Sequence, residues 1–363
     1  MPRKYKIDDD DAVVFRGDGE ARTGNTLLKR LNDFAQNNLL EDDDFSVGGL
    51  VQQLENEMAS KLGKPKAIFM PSGTLANHLA IRRHAGTDGR AAVQEQSHIF
   101  NDTGDSIQRL SGINLVPLGY NKVYFDTDEL HKAYETSITG RVLNPISVVS
   151  IETPVRRKHG QVVPLEELSK LSKFCKTNGI RVHLDGARIF MQAIVNNKDV
   201  KEYARLFESV YVSLYKYLGA PFGSILAGET DFIDGMHHQR RMFGSGLANS
   251  SLVAALALHG LDNFENKFSK AIDKANELFS SLNKSERVSV KGFEHGSNIF
   301  ELKMAENINI DQFVLNLRNF GIFVFPEDNQ SDIYIHVNAT ILHRSNAEIT
   351  KAFLDAIDES FND

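Results

Sequence analysis

The sequence is poor in the residues that staple, anchor or steer a protein. It has one cysteine and no tryptophan. The lone Cys175 excludes an intrachain disulfide framework and fits a reducing compartment. It falls on the apolar stripe of a predicted helix, where a thiol is ordinary core. No apolar run approaches the roughly 18 residues of a membrane-spanning helix, so no membrane partner is expected. Met1 to Asp11 are charged and lack the apolar centre of a secretory signal. Basic surplus is missing too. Lys and Arg total 41 against 48 Asp and Glu, a net charge of -7. Little is left to neutralise a phosphate backbone, and nucleic acid is not expected as a partner. These absences point to a cytoplasmic protein acting on a small molecule.

What is present is a rhythm. Between about residues 65 and 230, short β-branched runs alternate with amphipathic helical segments. Strands are predicted at 67–70, 91–93, 146–152, 181–184, 209–214 and 224–227. The clearest helix spans 165–177: Pro164 suits its start, Leu165, Leu168, Leu171, Phe174 and Cys175 share one face, and Asn178-Gly179 ends it. Such alternation predicts an α/β fold with a mostly parallel sheet of the seven-stranded type between helices. Beyond about 250 the pattern changes. A helical stretch at 251–282 precedes a strand at 298–303, a helix at 311–319, strands at 322–325 and 333–337, and a closing amphipathic helix. That is a smaller α+β domain. The expected organisation is an arm or subunit-contact segment over 1–45, a large ligand-binding domain over 46–250 and the small domain over 251–363.

Three segments carry chemistry. In His183-Leu184-Asp185-Gly186-Ala187-Arg188 a hydrophobic strand ends in an acid, followed by small residues and an arginine. Ligands of open α/β sheets bind at the carboxyl ends of strands, where Asp185 emerges; taken alone, it is more readily a helix N-cap. In the second segment Lys216 follows a β-rich run and precedes Leu218-Gly219-Ala220-Pro221 and Gly223-Ser224, small residues that let backbone pass close to a ligand. An isolated lysine is a solvated amine; one that loses its proton on burial is a nucleophile. The third segment, Pro71-Ser72-Gly73-Thr74, runs from a strand into a helix and suits a phosphate placed on free N–H groups. It lacks the lysine of a nucleoside-triphosphate loop, and no G-x-G-x-x-G follows the first strand. His237-His238 form no metal-ligand spacing, so no metal site is expected.

Together these segments resemble the threonine aldolase and β-eliminating lyase family of fold-type I pyridoxal 5'-phosphate (PLP) enzymes, over most of the chain. Lys216 and Asp185, 31 residues apart, match its diagnostic pair. Ser97-His98-Ile99, Gly160-Gln161-Val162-Val163-Pro164 and Arg240-Arg241-Met242-Phe243-Gly244-Ser245-Gly246 resemble further family segments. The resemblance implies that Lys216 holds PLP as a Schiff base and Asp185 pairs with the ring nitrogen, keeping the ring an electron sink. It implies that His98 stacks on the ring and moves protons, that Ser72, Gly73, Thr74 and Arg241 hold the phosphate, and that Arg188 grips the substrate carboxylate. A homodimer or homotetramer is expected, sharing the 240–246 stretch and the N-terminal segment. The departures fall around the substrate. Gly17 stands for a serine, Val155 for a histidine that contacts the substrate hydroxyl, Ala248 and Asp332 for arginines, and Phe45 for a tyrosine. The leading expectation is aldol cleavage of threonine or allo-threonine, with His98, His159 or a water as base. A β-eliminating lyase or an aminotransferase is the alternative, and a binding protein that has lost its chemistry is a third possibility.

Overall fold

The protein is represented by a computed structural model that describes residues 4–86, 89–327 and 332–361; the ends of the expected arm (1–3) and of the small domain (362–363) lie outside them. The described residues form twelve strands. β1 is Val13–Val14, β2 Lys66–Met70, β3 Arg90–Gln94, β4 Leu115–Leu118, β5 Ile146–Glu152 and β6 Arg181–Asp185. β7 is Ser209–Ser213, β8 Ser224–Gly228, β9 Val288–Gly292, β10 Ile299–Met304, β11 Ile322–Phe323 and β12 Ile333–His336.

Seven strands make the main sheet in the order β2-β8-β7-β6-β5-β3-β4. β7, β6, β5, β3 and β4 run parallel, and β8 is antiparallel to both its neighbours. The expected mostly parallel α/β sheet is therefore present. β7 and β8 are buried along their whole length and β5 along all but Ser147, because helices cover both faces, as parallel sheets require. Helix Leu165–Thr177 matches its predicted bounds and buries Leu168, Leu171 and Cys175. Burial pushes the Cys175 thiol up to about 12, so it is inert core.

Three strands were not anticipated, β1, β4 and β9. β4 contains Pro117, which argues against a ladder residue, but β4 is the edge of the sheet, where proline is tolerated. β9 lies in the small domain. The helical stretch predicted over 251–282 is two helices, Ser251–Asp262 and Phe264–Leu282, broken at Asn263, whose φ of -120° and ψ of 11° leave the helical region.

The small domain packs the antiparallel sheet β12-β10-β9 against helices Phe264–Leu282, Ile310–Asn319 and Asn346–Asp358. Its core includes Leu278, Phe313, Leu317, Ile333, Ile335, Ile349 and Phe353. The N-terminal segment joins it: β1 pairs parallel to β11, and Val13 and Phe15 are buried in the same core.

Candidate active site

The parallel strands deliver chemistry to one edge. Reading across the sheet, β7 leads to Lys216, β6 ends at Asp185, β5 ends at Glu152 and β3 leads to His98. β2 ends beside them and hands the chain to Ser72-Gly73-Thr74. Pairing across the ladder sets Glu152 opposite Asp185, and Asp185 opposite Tyr211. The result is a cavity of about 560 Å³ lined by Lys216, Asp185, Glu152, His98 and Arg188, with Arg16, Asp18 and Arg156 completing the wall.

Lys216 is half-buried and lines this cavity. Burial, then the Arg188 charge, lower its pKa to about 8, against the opposing pull of Asp185, Asp18 and Glu152. Asp185 is 2% exposed. Its Oδ2 accepts a hydrogen bond from Asn77 Nδ2 at 2.7 Å, and its Oδ1 one from the Ala187 N–H at 3.3 Å. Asn77 Oδ1 in turn meets His183 Nε2 at 2.9 Å, and His183 Nδ1 meets Ser209 Oγ at 2.8 Å. This buried chain fixes the carboxylate's direction from below.

Glu152 accepts the His98 N–H at 2.6 Å and the Arg156 N–H at 2.9 Å. It thereby ties the turn after β3 to the turn after β5. Burial first, and the Asp185 charge second, push its carboxyl up to about 7. Sequence reading assigned Glu152 no role; the signal was present, an acid ending a strand next to the Asp185 strand. The His98 ring is held by Asp102 Oδ2 at 3.2 Å, and Asp102 is held by Arg157 at 2.9 Å. Burial opposes the Asp102 charge, but hydrogen bonds from Arg157 and His98 outweigh it and keep the carboxyl below its ordinary value.

Arg188 is locked by Asp18 through two bonds, Nε to Oδ1 at 2.6 Å and Nη2 to Oδ2 at 2.9 Å. Asp18, the third residue of Arg16-Gly17-Asp18, was singled out only as part of a divergent motif. A guanidinium has five N–H donors, so this pair leaves three for a ligand.

Of the residues expected to act, Lys216, Asp185, His98 and Arg188 line the cavity. Ser72, Gly73 and Thr74 open helix Gly73–Ala85, whose Asn77 holds Asp185. Ser72 Oγ caps this helix by accepting the Leu75 N–H at 3.2 Å. Gly73 is obligatory there, since a Cβ would sit 2.1 Å from Tyr211 Oη. Arg241 does not line the cavity within this chain; its guanidinium lies 4.7 Å over the Phe45 ring. Val155, in place of the family histidine, is fully buried and offers no proton acceptor. His159 stacks against both Phe293 and Tyr334, with ring centroids 5.2 and 4.2 Å away, and lines an adjoining cavity.

The donor set fits PLP: an amine lowered toward neutrality, a fixed buried carboxylate, an imidazole beside them and a capped helix N-terminus at the same edge. Fold and site have the form of the fold-type I PLP enzymes. The chain belongs to the β-eliminating lyase family, whose model matches residues 31–305. It is 32% identical over 225 residues to a low-specificity L-threonine aldolase of Candida albicans, a match covering 58% of this chain and 56% of the relative. It is 28% identical over 309 residues to such an aldolase of Arabidopsis thaliana, covering 83% and 85%. The matches to the yeast relatives thus span little more than half of those proteins' length. A Listeria monocytogenes protein assigned as an L-allo-threonine aldolase superposes with a TM-score of 0.79 at 26% identity, covering 96% of both chains.

Proposed function

We propose that this chain is a PLP-dependent lyase that cleaves the Cα–Cβ bond of a β-hydroxy amino acid, threonine or allo-threonine to glycine and acetaldehyde. The convergence of Lys216, Asp185 and His98 on one cavity carries the reading. The similarity to threonine aldolases supports it. When bound, PLP supplies the electron sink for charge left on Cα. The chain's own residues do the rest. Lys216, with a pKa near 8, would hold the cofactor through its amine and, when free, is a base within the cavity. Asp185, aimed by Asn77, would pair with the ring nitrogen and keep it protonated. The three free N–H groups of Arg188 take the substrate carboxylate, with Asp18 holding the guanidinium in plane. The Ser72-Gly73-Thr74 turn, at the start of the helix whose Asn77 holds Asp185, would take the phosphate. The His98 imidazole lines the cavity and takes the β-hydroxyl proton, a task Val155 cannot perform. Incubating the purified protein with PLP and each threonine isomer, and assaying glycine and acetaldehyde, tests this. We expect both products in equal amount from at least one isomer; their absence from all four overturns the reading.

The loss of a hydroxyl-side base at Val155 favours one alternative, β-elimination, which needs no proton taken from the β-hydroxyl. Pyruvate released from β-substituted alanines, without aldehyde from threonine, would select it. The lone buried cysteine supports placement in the cytoplasm. A homodimer or homotetramer is part of the proposal, with Arg241 and the 240–246 stretch serving a shared site. It is supported by exposed Leu39, Phe45, Val47, Met242 and Leu252 in and near the two segments expected to be shared. Light scattering checks it: full activity in a monomer overturns it.

A further inference from the structure

The cavity around Lys216 does not end at the substrate's α-carbon. A second cavity of about 550 Å³ shares Arg16, Asp18, Arg156, Arg188 and Phe325 with it and runs on to His159 and His336. Its wall holds three guanidiniums against two carboxylates, Asp18 and Glu327. Asp18 is already committed to Arg188 at 2.6 and 2.9 Å. Glu327 is exposed at the far end. Arg16 has no carboxylate partner among the described residues; its guanidinium lies 4.8 Å over the Phe325 ring, a contact that leaves its N–H edge free. Arg156 reaches only to 3.9 Å from Asp102, whose bonds go to Arg157 and His98, and its side chain is 61% exposed. Its position is set from the backbone, where its N–H is held by Glu152. Two guanidiniums with free donors thus face a polar extension of the site.

Threonine has no use for this extension, because its side chain ends in a methyl group. We propose that the substrate is a β-hydroxy amino acid whose side chain ends in an anionic group, carboxylate or phosphate, bound by Arg16 and Arg156. The inference rests on the aldolase reading and names the substrate class within it. Guanidinium is the group whose fork matches both anions, and each such charge-assisted contact adds specificity as well as affinity. In the reaction the Cα–Cβ bond breaks and its electron pair stays on the glycine fragment. The β-hydroxyl gives its proton to the base, a proton returns to Cα, and the leaving aldehyde carries the anionic group.

Two measurements on the PLP-loaded protein test this. Cleavage of β-hydroxyaspartate and β-hydroxyglutamate isomers is compared with that of threonine isomers by kcat/KM. Binding of glutamate and 2-amino-4-phosphonobutyrate, which carry neither a β-hydroxyl nor a β-leaving group, is compared with that of glutamine and 2-aminobutyrate by calorimetry, which needs no turnover and separates a carboxylate from a phosphate-like dianion. We expect the anionic member of a pair to be favoured about ten-fold or more, chiefly in KM or Kd. Arg156→Gln and Arg16→Gln each reduce that ratio, and the double variant removes it. High salt narrows it as well. Equal binding of charged and neutral members, or a ratio untouched by the double variant, overturns the inference even if threonine is cleaved. No cleavage of any hydroxy amino acid, alongside preferred binding of the anions, overturns the aldolase reading and leaves the anion site standing.

Discussion

Glu152 sits at the point where the site's electrostatics are most finely set. It lies opposite Asp185 on neighbouring strands, and its carboxyl is raised to about 7 by burial and by that neighbour. A folded pKa above the unfolded value of about 4.5 means that proton binding favours the fold. The contribution is complete below about pH 4.5 and is lost as pH rises through about 7. Glu152→Gln cannot ionise, so the difference in denaturant midpoint between the cofactor-free protein and this variant isolates the contribution, and it should fall as pH rises across that window; a difference independent of pH would show that the Glu152 carboxyl is not the group titrating. At this scale the sequence was informative where chemistry is tied to a motif: Lys216, Asp185, His98 and Arg188 all line one cavity. It was silent where a residue acts only through a neighbour brought by the fold. Asn77 under Asp185, Asp18 on Arg188 and Glu152 under His98 lie 108, 170 and 54 positions from their partners. No local pattern records such pairs.

Among the elements, the parallel strands and helix Leu165–Thr177 were legible because their burial is set by period. Edge strand β4, with Pro117, was not, since an edge needs fewer ladder bonds and tolerates a residue that argues against a strand. Helix Ser251–Asp262 shows a closer dependence. Gly260 faces the loop after Lys216, and a Cβ there would lie 1.8 Å from the Leu218 carbonyl oxygen. The helix can approach that loop only because position 260 has no side chain. Gly260→Ala must push the two apart. Overpacking of this kind costs about 1–3 kcal/mol. The expected outcome is a lower denaturant midpoint together with weaker cofactor retention, because the displaced loop carries Lys216. A stability loss of that size with cofactor affinity unchanged would show that the strain is relieved on the helix side and does not reach the lysine.

At the scale of the whole molecule, strands of the large sheet lead to Lys216, Asp185, Glu152 and His98 in the cavity wall, while the N-terminal segment brings Arg16 and Asp18 and the small domain brings Phe325. Four histidines are kept neutral by burial: His78 and His336 at about 4, His84 and His183 at about 3. Each folded value is below the unfolded value of about 6.5, so the stability they allow is present above pH 6.5 and is lost as pH falls toward 3–4. Urea midpoints should drop steadily below pH 6.5, and His84→Gln should make the drop shallower; a flat profile down to pH 4 would contradict this. Lys216, Asp185 and His98, matched in sequence, line the cavity at the sheet edge, whereas of the departures only Gly17 does. The sequence therefore points to the cofactor more directly than to the substrate. The central claim is that Lys216 carries the cofactor, and its most direct test is chemical. The protein is loaded with PLP, reduced with borohydride, digested, and the labelled peptide identified by mass. A phosphopyridoxyl group on Lys216 is expected, absent in Lys216→Ala together with the cofactor's absorbance. A label on another lysine, or none in the intact protein, would contradict it.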